Sequence, residues 1–355
     1  MLGSDTPDAK HATRKVVVHK AGGHDRLTIE RGPTPVPAAG QVLIEVEAIG
    51  VNFADTIVRM GLYASAKEYV GWPITPGFEV AGVVSSVGAG VDDVAVGSEV
   101  FAVTLFGGYS THVAVDRRYV FPKAPGIGFA EAAAMPAVFL TAWYALFELA
   151  HPRRGQLVLV HSAAGGVGGA LVQLARNAGC RVVGVVGASH KVDTVKAHGA
   201  DHVIDKSTQD LWREARRLGP DGYDVVLDAN GVSTLKQSYH HLRRSGKLVV
   251  YGFHSMMPKA GGRPNWPKLA ADYLRTPRFN PLTMTNDSKS VLAFNLSYLF
   301  DRVDILHMAL AEIAGWLATG AITAPPVTTY PLDDVARAHA DLESGRTVGK
   351  LVLLP

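Results

Sequence analysis

The segment from Leu157 to Lys191 constrains this chain more than any other. It is a short apolar strand (LVLV), a glycine-rich turn, an amphipathic helix expected over 167–178 and a second apolar strand (RVVGVVG). The turn carries Ala163-x-x-Gly166-x-x-Gly169, with Ala164, Gly165 and Gly168 adding room. A backbone that turns sharply, approaches a ligand closely and packs its next helix on the strand has no space for Cβ atoms. The free N–H groups opening that helix, and its dipole, favour an anion. With a strand before, a helix after and a second strand about twenty residues on, the pattern predicts a dinucleotide's pyrophosphate at this turn.

The end of the second strand bears on which dinucleotide. An acidic residue there would hold the ribose 2′-hydroxyl of NAD(H), but Val185-Val186-Gly187-Ala188-Ser189 offers none. Ser189 and Lys191 supply a hydroxyl and a cation suited to a 2′-phosphate, and Lys206, after the strand HVID, could add a second cation. Both lysines can also be read as ordinary surface charges. The missing acid points to NADP(H).

Around this unit the chain divides in two. Up to about residue 125 it offers short strands (15–19, 26–30, 41–48, then EVAGVVSSVG, VDDVAVGSEVFAV and YSTHVAV) separated by glycine turns, the pattern of an irregular β-barrel. GVNFADTIVRMGLY (50–63) reads as a loop or short helix near a site. From Phe129 a helix-rich stretch, broken at Pro136, leads into alternating strands and helices with continuously apolar strands, as in a parallel sheet covered on both faces. Residues 254–288, with five prolines, read as a long loop, and 290–300 as a sixth strand. A helix over about 301–319 and two last strands close the chain.

At 355 residues, 47% hydrophobic and 19% charged, the composition is that of a globular protein large enough for two domains. A net charge of +3 with no basic stripe argues against nucleic acid as a partner. The polar N-terminus does not read as a signal peptide, and no apolar run approaches the roughly 18–20 residues of a membrane span. The single cysteine, Cys180, rules out an intrachain disulfide and reads as a small buried residue, so a cytoplasmic location is expected.

With GVNFAD (50–55), RMGLY (59–63), HSAAGGVGG (161–169), VGASHK (186–191) and VGKLVLLP in order, the chain resembles the medium-chain dehydrogenase/reductase superfamily, and within it the zinc-independent quinone oxidoreductases. GFHSMM through SVLAFNLSYLF resembles the branch of the vesicle amine transport proteins. The resemblance implies an α/β fold: a GroES-like substrate domain (1–138 with 301–355) and a doubly wound Rossmann domain (139–300). It implies Asn52 beside nicotinamide and substrate, although a loop-capping role is the alternative. It also implies Tyr63 in the pocket, as a donor to the substrate oxygen or as a packed ring. Ile57 stands where the family often has another tyrosine, and Asp55 orients a neighbour or caps a turn.

For the cofactor, the same resemblance places Gly166, Val167 and Gly168 at the pyrophosphate, with Ala164 and Gly165 also against the cofactor, Asn230 and Gly231 by the adenosine ribose and Gly252 and Phe253 on the nicotinamide side. Phe294, Asn295 and Leu296 would close over the nicotinamide, unless the two apolar ones are simple core, and Lys350 would reach the cofactor, unless exposed. The sixth strand would pair with its twin in a homodimer.

Asn52 stands where zinc-dependent relatives have a ligand cysteine, and Phe78 where they have a ligand histidine; His19, His24 and His112 show no ligand spacing. No metal is expected. Hydride delivery to a small electrophile, a quinone or an activated enone, is then the expected chemistry, with a 2-enoyl or 2-alkenal reductase as the alternative within enzymes. A cofactor-binding protein with little catalysis, working through 254–288, is the alternative outside them. The cations Lys259, Arg263, Lys268, Arg275 and Arg278 of that stretch could dock an acyl-CoA.

Overall fold

The computed structural model describes residues 12–355; most of the expected polar tail lies in residues 1–11, outside the described residues. Thr13–Val17 (β1) and Thr28–Gly32 (β2) form an antiparallel ribbon. Gln41–Val51 (β3) is the spine of a seven-stranded sheet with Glu79–Val87 (β4), Glu99–Val103 (β5), His112–Asp116 (β6) and Val120–Pro122 (β7). Its register against β4 slips at Leu43/Ile44 and again between Val46 and Ala48. Such bulges bend a strand, and here they curl the sheet over a core that includes Val42, Ile44, Val46 and Ile49.

The second sheet is Leu157–Val160 (β8), Arg181–Val186 (β9), His202–Asp205 (β10), Tyr223–Asp228 (β11), Leu242–Val250 (β12) and Ser290–Ala293 (β13). All neighbours are parallel, in the order β10-β9-β8-β11-β12-β13. Alternation along β8 explains its wholly apolar sequence: Val158 and Val160 enter one core, Leu157 and Leu159 the other. Each such side chain contributes roughly 1.5–3 kcal/mol by leaving water. The strand order reverses between β8 and β11, which opens a crevice at their carboxyl ends.

Val327–Pro331 (β14) and Lys350–Leu354 (β15) return to the first sheet, β15 pairing antiparallel with β3. Helix Val303–Ala318, by contrast, sends Leu306, Ala309, Leu310 and Ile313 into the core shared by helices Pro136–Trp143 and Gly166–Asn177. Its packing thus crosses the division expected at 300/301.

Two expectations need correction. Residues 254–288 are not a bare loop: they contain helices Trp266–Arg275 and Pro281–Asp287, each with proline in its first turn and an asparagine (Asn265, Asn280) whose side chain accepts a backbone N–H. The sixth strand ends at Ala293, because Asn295 Oδ1 accepts from Ser297 N (3.1 Å) and starts a 3-10 turn. Phe294, Asn295 and Leu296 therefore lie beyond the strand. The break expected at Pro136 is present: helix Phe129–Ala134 ends just before it and helix Pro136–Trp143 begins with the proline in its first turn, where the missing N–H needs no acceptor. Taken together, residues Phe129–Ala150 are a 22-residue helical stretch with an 18-residue window of mean hydropathy 1.4, long and apolar enough to cross a membrane, yet 72% of that window is buried inside the fold.

Candidate active site

The glycine turn opens at the crevice between β8 and β11. Gly169 N–H makes the first helical bond, to Gly165 O (2.7 Å), leaving the N–H groups of Gly166, Val167 and Gly168 without a helical acceptor. A Cβ on Gly168 would stand 2.1 Å from Ser162 O, so only glycine lets this helix pack on the turn. Gly165 is different: a Cβ there meets only Ser162 O, at 3.4 Å. The C-terminal segment laces over the turn, with Gly349 N–H on Ala164 O at 2.9 Å.

Across the crevice, Asp228 at the end of β11 sets the next loop. Its Oδ1 accepts from the N–H groups of Asn230 (2.8 Å) and Gly231 (3.0 Å) and from Thr234 Oγ1 (3.0 Å). Ser162 Oγ donates to Asn230 Oδ1 (2.9 Å), while the buried Asn230 Nδ2 has no protein partner. A buried donor without an acceptor costs about 1–3 kcal/mol, so this amide suits a ligand oxygen in the crevice. Gly231 (φ +82) lies against Phe253, whose Cδ1 would be 2.6 Å from a Cβ at 231, and Gly252 lies against Ala229.

Beyond β9, no acidic residue ends the strand, but Asp205 reaches over from β10. It accepts from Ser189 Oγ (2.5 Å) and from Ser207 N and Oγ, and these bonds lower its carboxyl. Lys191 is only 9% exposed and donates to Gly345 O (2.6 Å) and Thr347 O (2.9 Å), tying the C-terminal segment down. Desolvation, then Lys206, lowers Lys191; desolvation, then Lys259, lowers Lys206. Lys206 stands at the end of β9, its Cε 3.5 Å from where a Cβ on Gly187 would be.

The first domain supplies the facing wall. Asp55 Oδ2 accepts from Asn52 N (2.7 Å), one half of a capping box for helix Phe53–Arg59. The Asn52 side chain instead turns to Glu79 Oε1 (Nδ2, 2.8 Å) and receives Lys350 Nζ on Oδ1 (2.5 Å). Lys350 Nζ also lies 2.5 Å from Glu79 Oε1, and Ala137 N donates to Glu79 Oε2 (2.7 Å). Lys350 is 3% exposed and Glu79 fully buried, so this ion pair belongs to the interior. Asp55 also accepts from Gly77 N and Tyr109 Oη, yet burial dominates and pushes its carboxyl up to about 7.

Two contacts bridge the walls. Tyr63 Oη donates to Asn295 Oδ1 (2.8 Å) and lies 2.9 Å from Ser297 Oγ; burial raises its phenol. The rings of Phe53 and His254 stand 4.1 Å apart, and burial lowers the His254 imidazole to about 4, so it is neutral. Phe294 packs on Tyr144 (4.9 Å) at the edge of the core, with Leu296 nearby. Sequence reasoning missed Glu79, Asp228, Ser162 and His254. Only Asp228 had a local signal, an aspartate two and three residues before the amides it holds.

Residues 38–143 match the family model of the alcohol dehydrogenase GroES-like domain and 198–353 that of zinc-binding dehydrogenases. The human synaptic vesicle membrane protein VAT-1 homolog is 33% identical over 345 residues, 96% of this chain and 86% of that protein. A 2-haloacrylate reductase of a Burkholderia species is 33% identical over 353 residues, 96% and 98% of the two chains. The quinone oxidoreductase of Escherichia coli, solved in complex with NADPH, is 30% identical with a TM-score of 0.84, covering 96% of this chain and all of that one (100%). On its two-domain architecture and these full-length relatives, the chain belongs to the zinc-independent quinone oxidoreductase family of the medium-chain dehydrogenases/reductases.

Proposed function

We propose that this protein is an NADPH-dependent, zinc-independent reductase of quinones or activated enones. The observation that carries the reading is the set of open N–H groups at Gly166–Gly168 beside the buried, unpartnered Asn230 amide, which Ser162 ties to the same turn, with Lys206 against Gly187 and Lys191 beyond the end of β9. These groups fit a pyrophosphate and a further phosphate. The NADPH complex of the Escherichia coli relative supports it.

Bound NADPH supplies a hydride. The chain's own residues orient and enclose. Asn52 is pinned through Glu79 and Lys350, and Nδ2 keeps a second N–H to offer to an oxygen on which charge develops. Phe53, His254 and the Tyr63–Asn295 bond hold the walls together and exclude water. The donor set does not suit zinc: the Glu79 carboxylate beside Asn52 is already neutralised by an ammonium, and Asn52 and Phe78 replace stronger ligands. Elemental analysis tests this, and stoichiometric zinc would overturn it.

The name of the Burkholderia relative, a 2-haloacrylate reductase, supports the activated-alkene side of the reading and keeps a 2-enoyl or 2-alkenal reductase as its nearest variant. A second reading, cofactor binding with little catalysis, is favoured by Trp266, Tyr273, Leu274 and Leu282, all well exposed on the two helices of 254–288. NADPH and NADH oxidation against para- and ortho-quinones, 2-alkenals and 2-enoyl thioesters separates them. Turnover with NADPH on one electrophile class supports the reductase; tight NADPH binding without turnover on any supports the second reading.

The same proposal places the protein in the cytoplasm, as a homodimer through β13. Among the described residues that strand pairs with β12 alone and leaves its other edge open, which a twin strand would cover. Light scattering at micromolar concentration should return twice the mass of the chain, and a monomer would remove the dimer from the proposal.

A further inference from the structure

A cavity of about 800 Å³ lies between helices Leu235–His240, Trp266–Arg275 and Pro281–Asp287, within the usual range for small-ligand sites. It begins at Val232, two residues past Asn230, but shares no lining residue with the glycine turn, the lysine cluster or the Asn52 wall. The cofactor crevice therefore does not account for it.

Its chemistry is two-sided. Lys236, Arg275 and Arg278 line it, all exposed, and none has a carboxylate partner among the described residues. The one acid in the wall, Asp272, is already neutralised by Lys268, which also donates to Ser255 O (2.5 Å). Apolar groups share the lining: the rings of Tyr239 and Phe279, 5.3 Å apart and tilted, with Val232 and Met284. Three uncompensated cations around one opening match a ligand carrying several negative charges, more than a single carboxylate. The apolar, ring-bearing wall matches a flat heterocycle with a π-face. Arginine forks suit phosphate oxygens in particular.

We propose that this cavity binds a nucleoside phosphate, with its base against Phe279 and Tyr239 and its phosphates on Arg275, Arg278 and Lys236. The inference stands apart from the reductase reading, because it concerns a second site. One chemistry has two sources here: a free adenine nucleotide, or the nucleotide end of coenzyme A.

The test is calorimetric titration of the full chain, preloaded with one equivalent of NADPH, with ADP, coenzyme A and adenosine. ADP or coenzyme A should bind at one further equivalent and adenosine much more weakly. Arg275→Ala with Arg278→Ala should lower the affinity at least about tenfold, and added salt should weaken binding. Both arginines are exposed, and unchanged NADPH affinity would show that the variant is folded. Coenzyme A binding at least tenfold tighter than ADP would assign the cavity to a coenzyme A-linked ligand; equal affinities would assign it to a free nucleotide. No binding of either, binding displaced by NADPH, or binding indifferent to the arginine substitutions would each overturn the proposal.

Discussion

Lys350 Nζ and Glu79 Oε1 are 2.5 Å apart in the interior, joining the last strand to the start of β4. The same ammonium holds Asn52 Oδ1, so one buried charge pair fixes the Asn52 side chain. The C-terminal strand is in this way part of the candidate site.

Removing one partner of a buried pair leaves the other charge unpaired. Lys350→Met should therefore destabilise the fold by about 3–5 kcal/mol, whereas Lys350→Met with Glu79→Gln should recover much of that loss. Urea unfolding of the two variants checks this. Equal losses would show that the pair's charge is not what matters.

The lysine cluster should set cofactor preference. Lys206→Ala should weaken NADPH binding by about tenfold or more while leaving NADH nearly unchanged. Lys191→Glu should do the same, with an added loss of stability because Lys191 also holds Gly345 O and Thr347 O. Fluorescence titration of each variant with both cofactors measures the preference. Equal weakening of both cofactors would count against a 2′-phosphate at these lysines.

Gly168 and Gly165 should separate packing from ligand approach. Gly168→Ala forces a methyl to 2.1 Å from Ser162 O and should lower the melting temperature. Gly165→Ala, with φ −80 and its nearest neighbour at 3.4 Å, should fold normally yet bind NADPH more weakly, since the added methyl stands where the pyrophosphate approaches. Thermal melts paired with NADPH titration distinguish the two.

Asp55 carries a pH signature. Its carboxyl rises from 3.8 to about 7 on burial, so the native state retains a proton that the unfolded chain releases. Its contribution to stability is full below pH 4 and is lost as pH rises through 7. His254, lowered to about 4, acts in the opposite sense: its contribution is full above about 6.5 and is lost as pH falls. The two largely offset one another in wild type. Asp55→Asn should uncover the difference, its stability relative to wild type rising between pH 4 and 7 by on the order of 4 kcal/mol. Denaturant unfolding across that range reads it, and a pH-independent difference would show that Asp55 stays ionised.

Much was legible in the sequence because it depends on neighbours along the chain. The glycine turn, the wholly apolar parallel strands and the absence of an acid after β9 are local patterns with local causes. The helices at Trp266 and Pro281 were hidden because prolines that usually break structure here occupy first turns. The sixth strand was read too long because the Asn295 cap cuts it at Ala293.

What only the tertiary structure decided is which distant residues share one environment. Nothing near Asn52 in sequence announces Glu79 or Lys350, 27 and 298 positions away. Nor does anything local reveal that Lys191 is held by Gly345 O and Thr347 O, or that Asp205 takes the Ser189 hydroxyl. Sequence by itself determined the dinucleotide unit and the two-part architecture, because backbone sterics and hydrophobic period act over a few residues. The tertiary structure decided the charge pairing of the site, because burial and electrostatic partners are properties of packing between elements.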